Sequence, residues 1–135
     1  MKISTKGRYA LAIMINLASN YDSGRYVSLK EISLKENISL KYLEKIMINL
    51  NKENIIDVAR GNNGGYKLKK DPSKYIIGDI LRIAEGDLMP VSCINTDCEK
   101  KNECKTFPLW KELNDLINNY LDSKTLADYI ERSSL

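Results

Sequence analysis

From Ser4 to about Asn20, the apolar residues Ala10, Leu11, Ile13, Met14, Leu17 and Ala18 recur at three- and four-residue intervals, the pattern of a helix with one buried face. Ser4 or Thr5 can cap its start. Asp22-Ser23-Gly24 breaks the period, and Tyr26-Val27 reads as a short extended piece. Ser28-Leu29-Lys30-Glu31 then fits a capping box, with the serine accepting from the backbone three residues on and the glutamate reaching back. A second, short helix therefore starts near Leu29, with Leu29, Ile32 and Ile38 pointing inward. Asn37-Ile38-Ser39 makes a turn, Ser39 caps a third helix, and Leu40, Leu43, Ile46, Met47 and Leu50 give it a buried stripe. The product is two helices joined by a tight turn.

After Asn54 the period changes from helical to alternating. Ile55 to Ala59 and Gly65 to Lys69 read as two strands around Arg60-Gly61-Asn62-Asn63-Gly64, a hairpin whose glycines and asparagines tolerate positive φ. A helix, a helix-turn-helix and a hairpin, in that order, predict a winged helix-turn-helix. Pro72 closes the hairpin, and Ile77, Ile80, Leu81 and Ala84 mark a short fourth helix ending at Gly86. Asp87 to Thr106 shows no periodicity. Leu109, Leu113, Leu116, Ile117, Tyr120 and Leu121 then form a stripe on a last long helix from about Phe107 to Asp122, extended after Ser123 by Leu126, Ala127 and Ile130. The expected fold is mainly α with a small β-hairpin wing. It divides into a DNA-binding unit over 1–86, a cysteine loop over 87–106, and a dimerisation helix and tail over 107–135.

Charge sharpens this division. Residues 1 to 70 carry 13 Lys and Arg against 6 Asp and Glu, whereas residues 71 to 135 carry 8 against 12. A basic half joined to an acidic half gives the N-terminal part the electrostatic footprint of a nucleic-acid binder. The chain of 135 residues suits one domain with an appended element. No apolar run approaches the roughly 18 residues of a membrane span. The basic N-terminus before Tyr9–Ile15 imitates a signal peptide, but Asn16 interrupts the run and Leu17, Ala18 and Tyr21 continue a helical face, so a cytoplasmic protein is expected. The absence of histidine removes His-based triads and the commonest general base. No phosphate-binding loop and no paired carboxylates stand out, and an enzyme is not expected.

In a helix-turn-helix the second helix enters the major groove with its N-terminal residues against base edges. Those residues are Ser39, Lys41, Tyr42, Glu44 and Lys45. Glu44 can accept from cytosine N4, and Lys41 and Lys45 can meet phosphate or guanine. A charged helix face alone is as readily a solvated surface; the hairpin that follows gives it a context. Arg60 at the hairpin's tip, next to Gly61, is placed to reach a minor groove or a phosphate, with Lys67, Lys69 and Lys70 along the hairpin. The rival without DNA is an interaction module working through the last helix, which predicts no salt-dependent association with duplex DNA.

Three stretches, Met1-Lys2-Ile3-Ser4-Thr5-Lys6-Gly7-Arg8-Tyr9-Ala10, Ile38-Ser39-Leu40-Lys41-Tyr42-Leu43-Glu44 and Arg60-Gly61-Asn62-Asn63-Gly64-Gly65-Tyr66, together resemble the Rrf family of bacterial regulators, the IscR, NsrR and CymR group. The resemblance runs nearly end to end, through Ile77-Gly78-Asp79-Ile80 to Leu109-Trp110. It implies a homodimeric winged-helix transcription factor, most simply a repressor, acting on palindromic DNA and pairing through its long C-terminal helix. By position, Glu44 matches the residue with which the IscR type chooses between DNA motifs, and Arg60 matches the wing arginine. The N-terminal stretch is close to the CymR type, a cysteine-metabolism repressor without this cysteine group. The expected regulon is iron–sulfur cluster or cysteine metabolism, with a cysteine-biosynthesis or cluster-assembly protein as a candidate partner.

Cys93, Cys98 and Cys104 are the only cysteines and fall within twelve residues. An odd, clustered set argues against a secreted disulfide framework. Three thiolates on one loop can hold an iron–sulfur cluster, and the resemblance points to [2Fe–2S]. Free thiols or a redox pair are the plain alternative, including a nitric-oxide- or thiol-responsive regulator without a stable cluster. Structural zinc ranks lower, since it wants four N or S ligands. The IscR pattern has one more residue between the first two cysteines and a histidine three residues after the third; here that position is Phe107. Candidate fourth ligands are Asp97, Glu99, Glu103, an N-terminal residue of a partner subunit or an exogenous thiol. Arg8, at the position where the NsrR type has an acidic ligand, cannot serve.

Overall fold

A computed structural model describes residues 2–133, with the backbone alone for 131–133. The first helix, α1 (Thr5–Ser19), starts where the Ser4 hydroxyl accepts from the Gly7 N–H at 3.2 Å. The Ser4 hydroxyl also donates to Glu85, tying the start of the chain to the end of a later helix. In α2 (Leu29–Glu36), Ser28 accepts from the Glu31 N–H at 3.1 Å. Only that half of the expected capping box forms, because the Glu31 carboxylate pairs with Arg25 at 3.1 Å instead of reaching back. Asn37 takes the left-handed conformation with φ 55°, and Ser33 donates to the Ile38 carbonyl at 2.6 Å. These two features turn the chain into α3 (Leu40–Lys52).

The wing is β1 (Ile56–Ala59) paired antiparallel with β2 (Gly65–Leu68), Ile56 facing Leu68 and Ala59 facing Gly65. Val27 adds a bridge on the other side of β2, exchanging two 2.8 Å hydrogen bonds with Tyr66. That approach demands glycine at 65: φ is 148°, and a Cβ there would run into the Val27 carbonyl. Tyr75 locks the base of the wing. Its buried hydroxyl donates to the Ile55 carbonyl at 2.6 Å and accepts from the N–H groups of Lys69 and Lys70 at 3.0 and 3.3 Å.

A 3-10 turn at Pro72–Lys74 leads into α4 (Ile77–Glu85), which ends at Gly86 with φ 90°. Beyond the cysteine loop come α5 (Phe107–Asp122) and α6 (Ala127–Ser133). One core gathers Ile13, Met14 and Leu17 of α1, Leu43, Met47 and Leu50 of α3, and Ile80 of α4, with Ile56 and Leu68 from the wing and Val27 bridged to it. At roughly 1.5–3 kcal/mol for each fully buried aliphatic side chain, this cluster is the main stabilising term.

Two expectations are corrected. Leu40 is not part of the buried stripe; it is 45% exposed, because the first helical position lies at the edge of the face that packs on the core. The last helix does not run on past Ser123. The chain turns back, the Ile77 N–H donates to the Lys124 carbonyl at 2.9 Å, and the Leu126 N–H donates to the Tyr75 carbonyl at 3.0 Å. Leu126 is fully buried in the core, so α6 packs against α1 instead of extending α5.

Candidate nucleic-acid interface and cysteine loop

Helix α3 separates its two faces cleanly. Leu43, Ile46, Met47 and Leu50 are buried, and Lys41, Glu44, Lys45 and Ile48 are exposed on the opposite side. Ser39 sits at the N-cap and spends its hydroxyl oxygen on the Tyr42 N–H at 3.2 Å. Tyr42 is half-buried, its ring edge-on to Tyr9 at 5.6 Å between centroids. A shallow hollow of about 290 Å³ opens here, lined by Thr5, Tyr9, Asn37, Ile38, Ser39 and Tyr42. The N-terminus of α1 therefore borders the start of α3, a neighbourhood that periodicity alone did not reveal.

Arg60 and Gly61 are exposed at the start of the wing loop. Gly61 has φ 106°, and its carbonyl accepts from the Gly64 N–H at 3.0 Å, closing a tight turn. Arg60 has no ion-pair partner among the described residues, so its charge faces solvent. Between the wing and the start of α2 lies an open groove of about 520 Å³, lined by Arg25, Tyr26, Ser28, Glu31, Asn62, Asn63 and Gly64. The structure thus brings a basic wing and a charged helix face onto one unit.

Helix α5 is the opposite of a core element: none of its residues is buried, and Leu109, Leu116 and Tyr120 are 55%, 68% and 57% exposed. Leu113 and Ile117 are half-buried. Arg82 of α4 holds α5 in place, donating to Asn118 and Asp122 at 2.9 Å while also pairing with Asp79 at 3.2 Å. Gly78 makes this joint close, since a Cβ there would collide with Asp122. Periodicity could not find this role of Arg82, because its partners on α5 lie more than thirty residues away.

In the cysteine loop, Cys93 and Cys104 are half-buried, Cys98 is exposed, and all three are free thiols. A 3-10 turn covers Ser92–Ile94, and the Lys101 N–H donates to the Cys98 carbonyl at 3.0 Å. The Cys104 sulfur lies 3.3 Å from the Thr106 hydroxyl. Hydrogen bonds from Thr106 and from the Phe107 backbone stabilise its thiolate and lower its pKa. Lys101 lies over the Phe107 ring at 4.8 Å, where the IscR pattern has histidine. No three candidate metal ligands sit together among the described residues. The donor chemistry of three thiols suits iron, but their arrangement here does not gather them around one ion.

Residues 3–132 match the profile of Rrf2, described as an iron-dependent transcriptional regulator. The chain belongs to the Rrf2 family. It is 41% identical over 128 residues to the HTH-type transcriptional regulator CymR of Bacillus subtilis, covering 95% of this chain and 88% of that protein. It is 32% identical over 136 residues to the regulator IscR of Escherichia coli, covering 100% and 83%. Among solved structures, CymR, the global cysteine regulator of B. subtilis, superposes with TM-score 0.81 at 38% identity over 98% of both chains. The IscR of T. potens superposes with TM-score 0.78 at 32% identity, covering 98% of this chain and 88% of that one. The chain is a helix-turn-helix transcriptional regulator of this family and not an enzyme, and such regulators bind DNA and are typically dimeric. No described helix is long and apolar enough to cross a membrane.

Proposed function

We propose that this Rrf2 regulator acts as a homodimeric repressor reading a palindromic operator. Ser39, Lys41, Tyr42, Glu44 and Lys45 enter the major groove, and Arg60 with Gly61 engages the minor groove or its phosphates. The observation that carries this is an exposed polar face on α3 together with a wing arginine that has no ion-pair partner among the described residues, both on the basic half of the chain. Gel shift at two salt concentrations tests it. Affinity must fall with salt, Arg60→Ala must weaken all duplexes, and Glu44→Ala must change which sequences are accepted by about 1–3 kcal/mol at one base pair.

Dimerisation runs through Leu109, Leu113, Leu116, Ile117 and Tyr120. An apolar stripe on a helix with no buried residue is what a two-fold partner covers, and two-fold symmetry matches a palindrome. Paired charges at Leu113 and Ile117 are expected to give a monomer in sedimentation; a folded dimer surviving both rejects the assignment.

Sensing is assigned to Cys93, Cys98 and Cys104, and the regulated genes to cysteine or iron–sulfur metabolism, on the strength of the relatives. Two chemistries follow. Three soft donors on one loop support an iron–sulfur cluster, [2Fe–2S] by the family resemblance, for which the loop must close around the ions. The separated thiols and the lowered pKa of Cys104 favour direct thiol chemistry, or a partner protein docking on the loop, without a cluster. Iron and sulfide content after anaerobic purification separates the two. DNA binding by a triple Cys→Ala variant, compared with the wild type, tests whether the cysteines sense at all.

A further inference from the structure

The reading face of α3 carries one residue out of character with the rest. Ile48 lies four residues after Glu44, three after Lys45 and seven after Lys41, which puts all four on the same side of the helix. It is 57% exposed and packs neither in the core nor against it, whereas Ile46, Met47 and Leu50 beside it in sequence are buried. A lone exposed aliphatic is ordinary on a protein surface. This one stands near the centre of a charged face on the helix assigned to the major groove.

We infer that Ile48 reads the C5-methyl group of a thymine in that groove. This rests on the DNA-reading face proposed above. The thymine methyl is the apolar group that the four base pairs present in the major groove, so an apolar side chain there has one specific partner. Lysine and glutamate cannot take that role, because they would lose water against a methyl group without gaining a hydrogen bond. A β-branched chain is held near one χ1 rotamer on a helix, so Ile48 offers a fixed surface and surrenders little entropy on contact. Geometry also sets the register. From Glu44 to Ile48 the helix rises about 6 Å, and base pairs stack about 3.4 Å apart, so the thymine stands about two base pairs from the cytosine read by Glu44.

The test uses the full-length dimer and a duplex selected by it from a randomised pool. Deoxyuridine replaces thymine one position at a time, removing the methyl and leaving pairing intact. In each half-site one position should weaken binding about fourfold, the worth of one buried methyl. That position should lie about two base pairs from the one whose preference Glu44→Ala changes. Ile48→Ala should bind thymine and uracil equally there with the salt dependence of the wild type, and Ile48→Val should keep the discrimination. A wild type indifferent to uracil throughout, or an Ile48→Ala protein that still discriminates at that position, overturns the inference while leaving DNA reading intact. A pool that enriches no sequence overturns the DNA-reading proposal itself.

Discussion

Replacing Arg82 by alanine removes the joint between the DNA-reading unit and α5. Its guanidinium binds Asn118 at 2.9 Å, Asp122 at 2.8 Å and Asp79 at 3.2 Å, with 30% of the side chain exposed. The carboxylates left behind are 44% and 65% exposed and return to water, so the penalty for stranding a buried charge does not apply. What is lost is a set of partly screened, charge-assisted hydrogen bonds, about 1–2 kcal/mol together. For a chain of this size that lowers Tm by about 3–8 °C, measured at one protein concentration because dimerisation shifts Tm by mass action. A double-mutant cycle with Asp122→Asn should show coupling of at least about 0.5 kcal/mol. The functional readout is operator geometry. A loosened joint lets the two reading helices vary their separation, so inserting one base pair between half-sites should cost the variant less affinity than the wild type. Additive single mutants, or an unchanged penalty for the inserted pair, would refute the coupling of α4 to α5.

Tyr75→Phe should destabilise by about 1–3 kcal/mol, since it leaves the Ile55 carbonyl without its buried partner. Burial raises the Tyr75 pKa above its ordinary value of 10.0, so the folded state holds the phenol proton more tightly. That contribution is complete below about pH 10 and is lost as pH rises through the folded pKa, so the phenylalanine variant should lose stability less steeply with alkali. Leu126→Ala empties a fully buried site just before α6 and should cost about 2–5 kcal/mol in chemical denaturation; a change below about 1 kcal/mol would mean that Leu126 is not seated in the core.

The architecture was legible because its signals are local. Ser4, Ser28 and Ser39 each cap the helix that the periodicity places after them, and the change from helical to alternating pattern after Asn54 marks the wing. What escaped depends on contacts distant in the chain. Glu31 pairs with Arg25 and not with its own cap, Tyr75 reaches back twenty residues to Ile55, and Leu126 joins the core formed by α1, α3 and α4. Leu40 fits the period without facing the core, because an apolar residue at a helix's first position lies at the edge of the packed face. The candidate reading face followed from α3 alone. The cysteines were conspicuous by spacing, but spacing does not report that three thiols on one loop stand apart.

The most direct test is fluorescence anisotropy of a selected palindromic duplex, and of its scrambled counterpart, across about 50 to 200 mM salt. Two chains should bind per duplex, tighter than to the scrambled DNA, with log affinity falling linearly against log salt and the slope shallower by about one contact per half-site in Arg60→Ala. Equal affinity for both duplexes, or binding indifferent to salt, would contradict a winged-helix dimer that reads DNA through α3 and Arg60.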